Sequence, residues 1–465
     1  MKLLRYVTLA CWALGLPLAA HAQAPALTTF AVGSTTVTAS ALVTNLNTVW
    51  ELVWGPDNFL WMTERYGRIS RVNPATGQVL PLLTLPDVTP TGESGLLGLA
   101  LHPQFATSPF VYVVYNYTVA GALKEKLVRY TYSATAGTLS APLVLLGGID
   151  ATTSHSGSRL LILADGTLLM STGDAQQQPE AQNTSSLNGK FLRMNLDGTI
   201  PADNPIAGSR LYTFGHRNPQ GLVQLPNGRI YSSEHGPSTD DEINKIEPGR
   251  NYGWPNVEGY CDLPAEMTFC AANNVREPLT AWTPTIAPAG LTYYDHPAIP
   301  GWRGSLLLAV LKDHKLVQLP LDAAGLTISS RTDFLTGFGR LRAICVSPQG
   351  RVYIGTTNRD GRGTPSSTDD QILVLENRAY VASATRSAAG FLFELFPNPA
   401  RRQATVQLPA PNLRLTVRDL LGRALLTLHP IGTTATLDLT TLRPGSYWVQ
   451  AEGIMGTATR RLLVE

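Results

Sequence analysis

The stretch Pro226-Asn227-Gly228-Arg229-Ile230-Tyr231-Ser232-Ser233 has the pattern of a turn followed by a strand with alternating apolar and polar side chains. The same combination recurs at 56–63, 164–171 and 348–355, each time with Asp, Asn or Gln in the turn. Turn residues placed before an alternating run are typical of strands joined by short connections. The pattern therefore predicts strands and turns repeated along most of the chain.

The spacing of these turns indicates the size of the repeating unit. Gly166 and Gly228 lie 62 residues apart, and Gly228 and Gly350 lie 122 apart, about twice that distance. An all-strand repeat of roughly 60 residues is typical of four-stranded blades arranged radially. The sequence therefore predicts an all-β fold, with a six-bladed β-propeller over residues 28–376 and a small C-terminal β-sandwich after it. The alternative is an ordinary sandwich with recurring hairpins, although sandwich turns come closer together, at roughly 8–12 residues.

The composition excludes several classes of protein. The 465 residues include 41 Gly and 33 Pro, and only 15% of them are charged. Hydrophobic residues make up 44%, which is enough to build a core and excludes a disordered chain. A coiled coil would need far more Glu, Lys and Leu at helical spacing.

The first 22 residues have the pattern of a secretory signal peptide. Lys2 and Arg5 precede an apolar run, and Ala20-His21-Ala22 forms a small-x-small cleavage pattern. Removal of residues 1–22 takes away two positive charges and lowers the formal net charge from +2 to zero. A neutral mature chain gives no electrostatic reason to expect a nucleic-acid partner. Because no other apolar stretch of about 20 residues exists, we expect no membrane span.

The last part of the chain has a different composition. Residues 377–390 are rich in Ala, Ser and Arg, which predicts a linker, and 391–465 contain short alternating strands. This tail resembles the C-terminal sorting domain of type IX secretion substrates, notably at Phe396-Pro397-Asn398-Pro399 and Leu442-Arg443-Pro444-Gly445-Ser446-Tyr447. The resemblance implies type IX secretion machinery as a partner, with outer-membrane passage and then release or surface attachment. An immunoglobulin-like spacer or a carbohydrate-binding module is the alternative.

Cysteine is scarce in the mature chain. Cys261 and Cys270 bracket a loop-like stretch and could pair in an oxidising compartment, but the sequence leaves this open. Cys345 stands alone, and three thiols so far apart do not indicate a zinc site.

Two stretches carry groups suited to a cation and to proton transfer. Adjacent carboxylates at Asp240-Asp241-Glu242, near carbonyls at Gly236-Pro237, suit a hard cation such as Ca²⁺, although an acidic run alone usually forms a solvated turn. His155 stands in a loop of small residues just before a predicted strand. A neutral imidazole there could act as a general base near neutral pH, whereas a lone His is more often structural.

A third set of side chains is cationic. Arg340 and Arg342 alternate along a strand, so both guanidinium groups lie on one side of it. Together with Arg217 and Lys312 they would form a receptor for a polycarboxylate. Taken alone, such a pair of arginines is more often a salt-bridged surface.

Several motifs in order resemble one family, the soluble PQQ-dependent glucose and aldose sugar dehydrogenases. The motifs lie at 92–103, 155–160, 215–222, 236–244, 251–257 and 282–288, within a region from about residue 47 to 376. The family implies a cofactor, pyrroloquinoline quinone (PQQ), which is a planar tricarboxylate, together with Ca²⁺. No Gly-x-Gly-x-x-Gly opens a helix after a strand, so a nicotinamide site is not indicated.

The resemblance assigns roles position by position. His155 is implied as the base for the C1 hydroxyl of the sugar. The implied cofactor contacts are Glu93, Gln182, Arg217, Asn218, Trp282, Lys312, Arg340 and Arg342. The implied Ca²⁺ ligands are Gly236 and Pro237 at the cofactor, and Asp241, Glu242 and Tyr252 at a second, structural site.

The sequence thus predicts a secreted sugar dehydrogenase that oxidises an aldose to a lactone and passes electrons to an external acceptor. Glu93 stands where the glucose enzymes have Gln, so the identity of the sugar stays open. A non-catalytic propeller that binds a glycan or a protein partner is the main alternative. A Ca²⁺-dependent lactonase-type hydrolase is a third, but it would need acidic ligands converging on a central channel.

Overall fold

A computed structural model describes residues 24–380, 393–411, 413–419, 422–453 and 456–465. The predicted signal peptide at 1–22 and most of the predicted linker, residues 381–390, lie outside these described residues. The chain divides into two compact units, one ending at Arg378 and the other beginning at Ala379.

Strands make up most of the first unit. In chain order they are β1 Thr28–Val32, β2 Thr35–Val43, β3 Val49–Trp54, β4 Leu60–Glu64, β5 Arg68–Val72, β6 Val79–Thr84, β7 Leu96–Leu101, β8 Phe110–Val119, β9 Ala122–Ser133, β10 Thr138–Asp150, β11 Gly157–Ile162, β12 Leu168–Thr172, β13 Lys190–Met194, β14 Leu211–Phe214, β15 Pro219–Gln224, β16 Ile230–Glu234, β17 Asp241–Ile246, β18 Thr280–Trp282, β19 Pro288–Tyr294, β20 Ser305–Val310, β21 Lys315–Pro320, β22 Thr332–Phe334, β23 Leu341–Val346, β24 Val352–Thr356 and β25 Ile372–Glu376.

These strands form antiparallel sheets of consecutive strands. Five sheets have four strands each, β3–β6, β7–β10, β11–β14, β15–β18 and β19–β22. A sixth, five-stranded sheet has the order β1-β2-β25-β24-β23, so it joins the first strands of the unit to its last. One edge strand of each sheet, here called its leading strand, packs against the leading strand of the next sheet. In order these strands are β3, β7, β11, β15, β19 and β23, and β23 packs against β3. The leading strands therefore close a ring.

The recurring turn of the sequence has one structural position. It connects the first and second strands of four sheets, just before β4, β12, β16 and β24. Gly166, Gly228 and Gly350 have φ values of 82°, 85° and 77°, and Asn58 takes the same left-handed backbone with φ of 61°. Gly and Asn are the residues that adopt this backbone at least cost.

Hydrophobic clusters lie between neighbouring sheets. Trp61 of β4 packs edge-on against Tyr132 of β9, with ring centroids 5.2 Å apart. A second cluster joins Val49 and Leu52 of β3 to Ala343 of β23, which fills the space where the ring closes. Each sheet thus buries its faces against both neighbours, and this packing stabilises the ring. Hydrogen bonds such as that from Thr63 Oγ1 to the Leu97 carbonyl, at 2.6 Å, also join neighbouring sheets.

One helix interrupts the strands of the first unit among its described residues. Helix α1, Pro264–Asn273, follows β17, and short 3₁₀ turns lie at Gln178–Ala181 and Pro300–Trp302. Cys261, which precedes this helix, forms a disulfide with Cys270 inside it, which answers the question that the sequence left open. Cys345 is a buried free thiol whose pKa is raised by burial.

The second unit contains two sheets. Its strands are β26 Glu394–Phe396, β27 Gln403–Gln407, β28 Arg414–Arg418, β29 Ala424–Leu428, β30 Thr434–Asp438, β31 Gly445–Gly453 and β32 Gly456–Val464. The sheet orders are β26-β27-β30 and β29-β28-β31-β32. Val406 and Leu437 of the first sheet share one buried cluster with Leu415 and Val449 of the second.

Closure of the ring predicts the effect of a core substitution on β25. Leu375 is fully buried and pairs with Ala39 of β2 and Val352 of β24. Leu375→Ala removes buried contacts at the closure and should lower the free energy of unfolding by about 2–5 kcal/mol. Val144→Ala, at an exposed position of β10, is the control and should change it by less than about 0.5 kcal/mol. Calorimetry of the full chain measures both, and equal stabilities would contradict a packed closure.

Candidate active site

Most of the predicted site residues meet in one polar cavity of about 820 Å³. The cavity lies where the leading strands begin. Its walls come from the loops that enter β7, β11, β15, β19 and β23 and from the loops that leave β4, β12, β16, β20 and β24. The predicted residues that line it are Glu93, His155, Arg217, Asn218, Gly236, Pro237, Asp241, Lys312, Arg340 and Arg342. Residues up to 249 positions apart are thus brought together because every leading strand starts at the same face of the ring.

Four predicted residues do not line this cavity. Gln182 donates from Nε2 to Asn251 Oδ1 and to the Trp254 carbonyl, at 3.0 and 2.7 Å. It therefore holds the segment 251–254 in place. Trp282 lies on β18, the last strand of its sheet, and Arg331 stacks on its ring at 4.4 Å. Glu242 and Tyr252 line a small separate cavity of about 20 Å³, which shares Arg217, Gly236 and Pro237 with the large one.

The imidazole of His155 is fixed by a buried carboxylate. Its Nδ1 lies 2.8 Å from Asp174 Oδ1, and the side chain of Asp174 is fully buried. The other oxygen of Asp174 accepts from Trp254 Nε1 at 2.8 Å. Because a carboxylate only accepts, the proton of the imidazole sits on Nδ1 and the lone pair on Nε2. His155 therefore offers the cavity a nitrogen that can take a proton.

Sequence reasoning missed Asp174. It directly follows Gly173 in Ser171-Thr172-Gly173-Asp174, one strand after His155, and nothing in that spacing marks it as a partner. The available signal was a single acid immediately after a buried strand, the place where sites on β scaffolds collect polar groups.

A second buried network holds the loops that carry Glu93 and His155. Glu125 of β9 accepts from Ser158 Oγ at 2.7 Å and from Asn116 Nδ2 at 3.4 Å. Asn116 in turn accepts from the Gly95 amide at 3.0 Å and donates to Ser156 Oγ at 3.3 Å. Burial raises the pKa of Glu125 to about 8. A neutral carboxyl inside β9 thus links the two loops.

The four predicted cations differ in their partners. Arg340 forms an ion pair with Asp360, with Nε 2.7 Å from Oδ2, and both side chains are nearly buried. Arg342 donates to Gln220 Oε1 at 3.0 Å, and burial lowers its pKa to about 9. Lys312 is exposed and donates to Thr285 Oγ1 at 3.0 Å.

Arg217 faces backbone carbonyls. Its Nη1 donates to the carbonyl oxygens of Gly236 and His235 at 2.8 and 3.2 Å. Burial lowers the pKa of Arg217, and the charges of Asp174 and Glu234 only partly offset this.

Three further arginines that the sequence analysis did not single out line the cavity, namely Arg65, Arg359 and Arg362. Arg362 Nη2 lies 2.9 Å from Glu93 Oε1. Burial alone would raise the pKa of Glu93, but His235, Arg362 and Arg342 lower it overall, so the carboxylate stays charged. These arginines lie outside the recognised motifs, and only the fold brings them to this cavity.

The cavity wall contains buried donors that no protein group satisfies. Among the described residues, Arg217 Nε, Asn218 Nδ2, His235 Nε2 and Arg342 Nε are buried atoms without a hydrogen-bond partner. Unpaired buried polar atoms are costly and rare, so a cluster of them indicates a bound acceptor-rich molecule. The donor set fits a planar polycarboxylate such as PQQ.

The acidic side chains near Gly236 are arranged by the backbone. Asp241 Oδ1 accepts from the Gly236 amide at 2.8 Å, and Oδ2 accepts from the amides of Ile286 and Ala287 at 2.6 and 2.7 Å. Burial and the neighbouring charge of Glu234 raise the pKa of Glu242 well above its ordinary value. In the described part of the chain, no group of three His, Cys, Asp or Glu side chains is placed to hold a metal ion. A cation here would therefore need backbone carbonyls and oxygens of a ligand, which are the donors that Ca²⁺ accepts.

A second cavity, of about 660 Å³, lies at the far ends of the leading strands. Its walls are mostly apolar, with Leu52, Leu160 and Ile344 among them, and an ion pair between Arg159 and Glu51 borders it. The polar cavity holds the candidate chemistry, because His155 and the unpaired donors line it.

Comparison with known proteins agrees with this geometry. Residues 46–372 match the family model described as glucose/sorbosone dehydrogenase. The chain belongs to this family. Its similar proteins include quinoprotein glucose dehydrogenase B of Acinetobacter calcoaceticus, 33% identical over 69% of this chain and 85% of that one. Aldose sugar dehydrogenase YliI of Escherichia coli is 30% identical over 70% of this chain and 91% of its own length.

A solved structure supports the same assignment. The PQQ-bound form of an aldose sugar dehydrogenase from Streptomyces coelicolor is 34% identical, with a TM-score of 0.64 over 73% of this chain and 98% of that one. The all-β fold is therefore like that of PQQ sugar dehydrogenase propellers. The predicted enzyme class, a PQQ-dependent sugar dehydrogenase, is confirmed at the level of the family.

The tail also has a recognised counterpart. Residues 394–465 match the secretion system C-terminal sorting domain, which confirms the resemblance seen in the sequence and indicates export by the type IX route. Within the described ranges, the structure contains no helix of the length and apolar character that a membrane crossing requires.

The neutral carboxyl of Glu125 predicts a pH-dependent stability. The folded chain keeps a proton up to about pH 8, whereas the carboxyl ordinarily titrates at 4.5, so unfolding releases that proton and stability falls as pH rises between these values. Glu125→Gln stays neutral and should gain stability over the wild type across this range, by at most about 1.4 kcal/mol per pH unit.

Urea unfolding at a series of pH values measures this difference. Glu277→Gln, at an exposed carboxyl, is the matched control. A constant difference between wild type and Glu125→Gln across the range would contradict a neutral Glu125.

Proposed function

We propose that this chain is a secreted, PQQ- and Ca²⁺-dependent aldose sugar dehydrogenase. It oxidises the C1 hydroxyl of a sugar to a lactone and passes the electrons to an external acceptor. The observation that carries the proposal is the meeting of an oriented His155 with unpaired buried donors and cations in one cavity.

The cationic wall accounts for cofactor binding. Arg217, Lys312 and Arg342 have no carboxylate partner within the described residues, and three such cations match the three carboxylates of PQQ. Arg340 and the amide of Asn218 add further donors. Guanidinium groups suit this role because they bind carboxylates through two parallel hydrogen bonds.

His155 acts as the general base. Nδ1 donates to Asp174, so Nε2 accepts the proton of the C1 hydroxyl as the C1 hydrogen departs with its electron pair. When bound, PQQ would supply the quinone that accepts this hydride, and Ca²⁺ would polarise the quinone carbonyl. Asp174 keeps the imidazole oriented and stabilises the positive charge that it acquires. Glu93, whose Oε2 accepts from the amide of His155 at 3.4 Å, would contact the cofactor beside the base and would also accept a hydrogen bond from the sugar.

Carbonyl oxygens of Gly236 and Pro237 would hold the Ca²⁺ beside the cofactor. Release of the Gly236 carbonyl from Arg217 would free it for the cation. Of the three residues implied for a second Ca²⁺ site, Glu242 and Tyr252 would contribute to it at the small cavity, where a divalent cation would relieve the repulsion between buried Glu242 and Glu234. Asp241, which lines the large cavity, would support the site by holding the amide of Gly236.

The domain plan follows the proposed route of export. Residues 1–22 are a signal peptide, 28–376 a six-bladed β-propeller in which each sheet of the first unit is one blade, and 377–390 a linker. Residues 391–465 are the sorting domain, folded as a small β-sandwich from the two sheets that share a cluster. The type IX secretion machinery is the partner of this domain.

Reconstitution tests the proposal. The purified chain is loaded with PQQ and Ca²⁺, titrated calorimetrically for PQQ binding, and assayed for dye reduction with a panel of aldoses. Tight PQQ binding and aldose-dependent dye reduction are expected. Absence of PQQ binding would overturn the proposal and favour the non-catalytic propeller that binds a glycan or a protein partner.

Removal of the base should abolish most turnover. His155→Ala should lower kcat by about 10²- to 10⁴-fold, because general-base catalysis is lost. Asp174→Asn should also lower kcat, by about 10²-fold or more, because the amide no longer fixes the tautomer. PQQ affinity serves as the control and should be retained in both variants. Full dye reduction by His155→Ala would remove the proposed mechanism.

Calcium should stabilise the first unit through Glu242. Saturating Ca²⁺, at about 100 times its dissociation constant, should raise the free energy of unfolding by about 2.7 kcal/mol, and a chelator should reverse the change. Glu242→Gln should reduce the gain, whereas exposed Glu277→Gln should keep it. The measurement is the unfolding temperature with and without Ca²⁺. An equal gain in all three proteins would exclude Glu242 from the site.

A further inference from the structure

The loop between β24 and β25 forms one side of the mouth of the polar cavity. Its anchor is Asp360, whose side chain is only 4% exposed and pairs with Arg340. Asp360 Oδ1 also accepts from the amide of Arg362 at 2.9 Å, and its carbonyl accepts from Arg65 Nη1 at 3.3 Å. The loop therefore has a fixed place beside the proposed cofactor cations.

The cavity has more cations than its own acids and the cofactor account for. Among the described residues, Arg340 and Arg362 are ion-paired, with Asp360 and Glu93, while the other five basic side chains have no carboxylate within 4 Å. These five are Arg65, Arg217, Lys312, Arg342 and Arg359. If three of them serve the carboxylates of PQQ, two remain, and the two nearest the mouth loop are Arg65 and Arg359.

Among the described residues, neither of these arginines has a carboxylate partner within 4 Å. Arg65 is 93% buried by residue area, and its Nε has no hydrogen-bond partner. Arg359 is exposed on the loop, and its Nε donates only to the carbonyl of Asp369, at 2.7 Å. A buried guanidinium without a counter-charge is unfavourable, so Arg65 is suited to receive an anion. Arg359, exposed on the mouth loop, can add a second charged contact to the same anion.

The same mouth borders the reacting centre. Glu93 is 3.4 Å from the amide of His155 and is bridged by Arg362 from the loop. A sugar whose C1 hydroxyl contacts His155 would extend past Glu93 toward the loop that carries Arg359. The far end of the sugar is therefore the part that meets the surplus positive charge.

We propose that the sugar oxidised here carries an anionic group, a carboxylate or a phosphate, that Arg65 and Arg359 bind. The inference rests on the proposed function and keeps its chemistry. The C1–H bond breaks with hydride going to the quinone, the hydroxyl proton goes to His155, and a lactone with its anionic group intact leaves. The two electrons pass to the external acceptor.

Kinetics with matched sugars test the inference. Glucose, glucuronate and glucose 6-phosphate are compared by kcat/KM on the holoenzyme. The anionic sugars should exceed glucose by about tenfold or more, and the better of the two identifies the group. Arg359→Gln should lower the ratio of anionic to neutral sugar about tenfold, and Arg359→Lys should restore part of it. Arg303→Gln, at an exposed ion-paired arginine near Pro300–Trp302, is the matched control and should leave the ratio unchanged.

Binding provides a second measurement. The protein for this calorimetry is His155→Ala loaded with PQQ and Ca²⁺. Glucuronate or glucose 6-phosphate should bind to it more tightly than glucose. This difference in affinity should be lost in high salt and in the double variant that also carries Arg359→Gln. An unchanged ratio in Arg359→Gln would assign Arg359 to neither ligand. An unchanged ratio together with weaker PQQ binding would assign it to the cofactor. Either result would overturn the inference. Failure to oxidise any sugar would count against the proposed function, and the calorimetric comparison would still decide the inference.

Discussion

Positive charge buried without matching carboxylates is the constraint on which the first unit depends. Burial lowers the pKa of Arg342 to about 9 and that of Arg217 as well, and neither guanidinium has an ion-pair partner among the described residues. Burying an unpaired ion costs several kcal/mol, which packing elsewhere must offset. The interfaces between sheets and the closing pair β2 and β25 supply that packing. The fold thus keeps these unpaired cations at the polar cavity, where the proposed cofactor would neutralise them.

One fully buried carboxylate joins the chemistry to this scaffold. Asp174 accepts from His155 at the entry to β11 and from Trp254 after β17, and its amide donates to the carbonyl of Arg217 before β15. The proposed base, the ring of Trp254 and the backbone of a proposed cofactor contact therefore share one anchor that connects two neighbouring sheets. An imidazole held this way keeps a single tautomer, which a surface histidine would not.

The features that could be predicted from the sequence are those set by short local patterns, namely turns, strands and motif residues. The recurring turns predicted β4, β12, β16 and β24 because their left-handed backbone requires Gly or Asn. The connections before β8 and β20, at 102–109 and 295–304, are longer and lack this turn pattern, so the pattern did not predict those two strands. Motif residues such as His155 and Arg342 meet in the cavity as expected. Arg65 and Arg359 could not be predicted, since only the ring brings them to the cavity, and Asp174 could not be paired with His155 before the fold placed it behind the imidazole.

Asp360 supports both the mouth of the polar cavity and the proposed cofactor-binding cations in its wall. Its carboxylate fixes Arg340, a proposed cofactor contact, while its carbonyl holds Arg65, a proposed contact to the sugar. Burial would raise the pKa of Asp360, but Arg340 and Arg342 lower it, so the residue stays charged and the support persists. A ligand that shifts either arginine acts on the same loop. Any resulting coupling between cofactor and sugar binding must be reciprocal, because each changes the affinity for the other by the same factor.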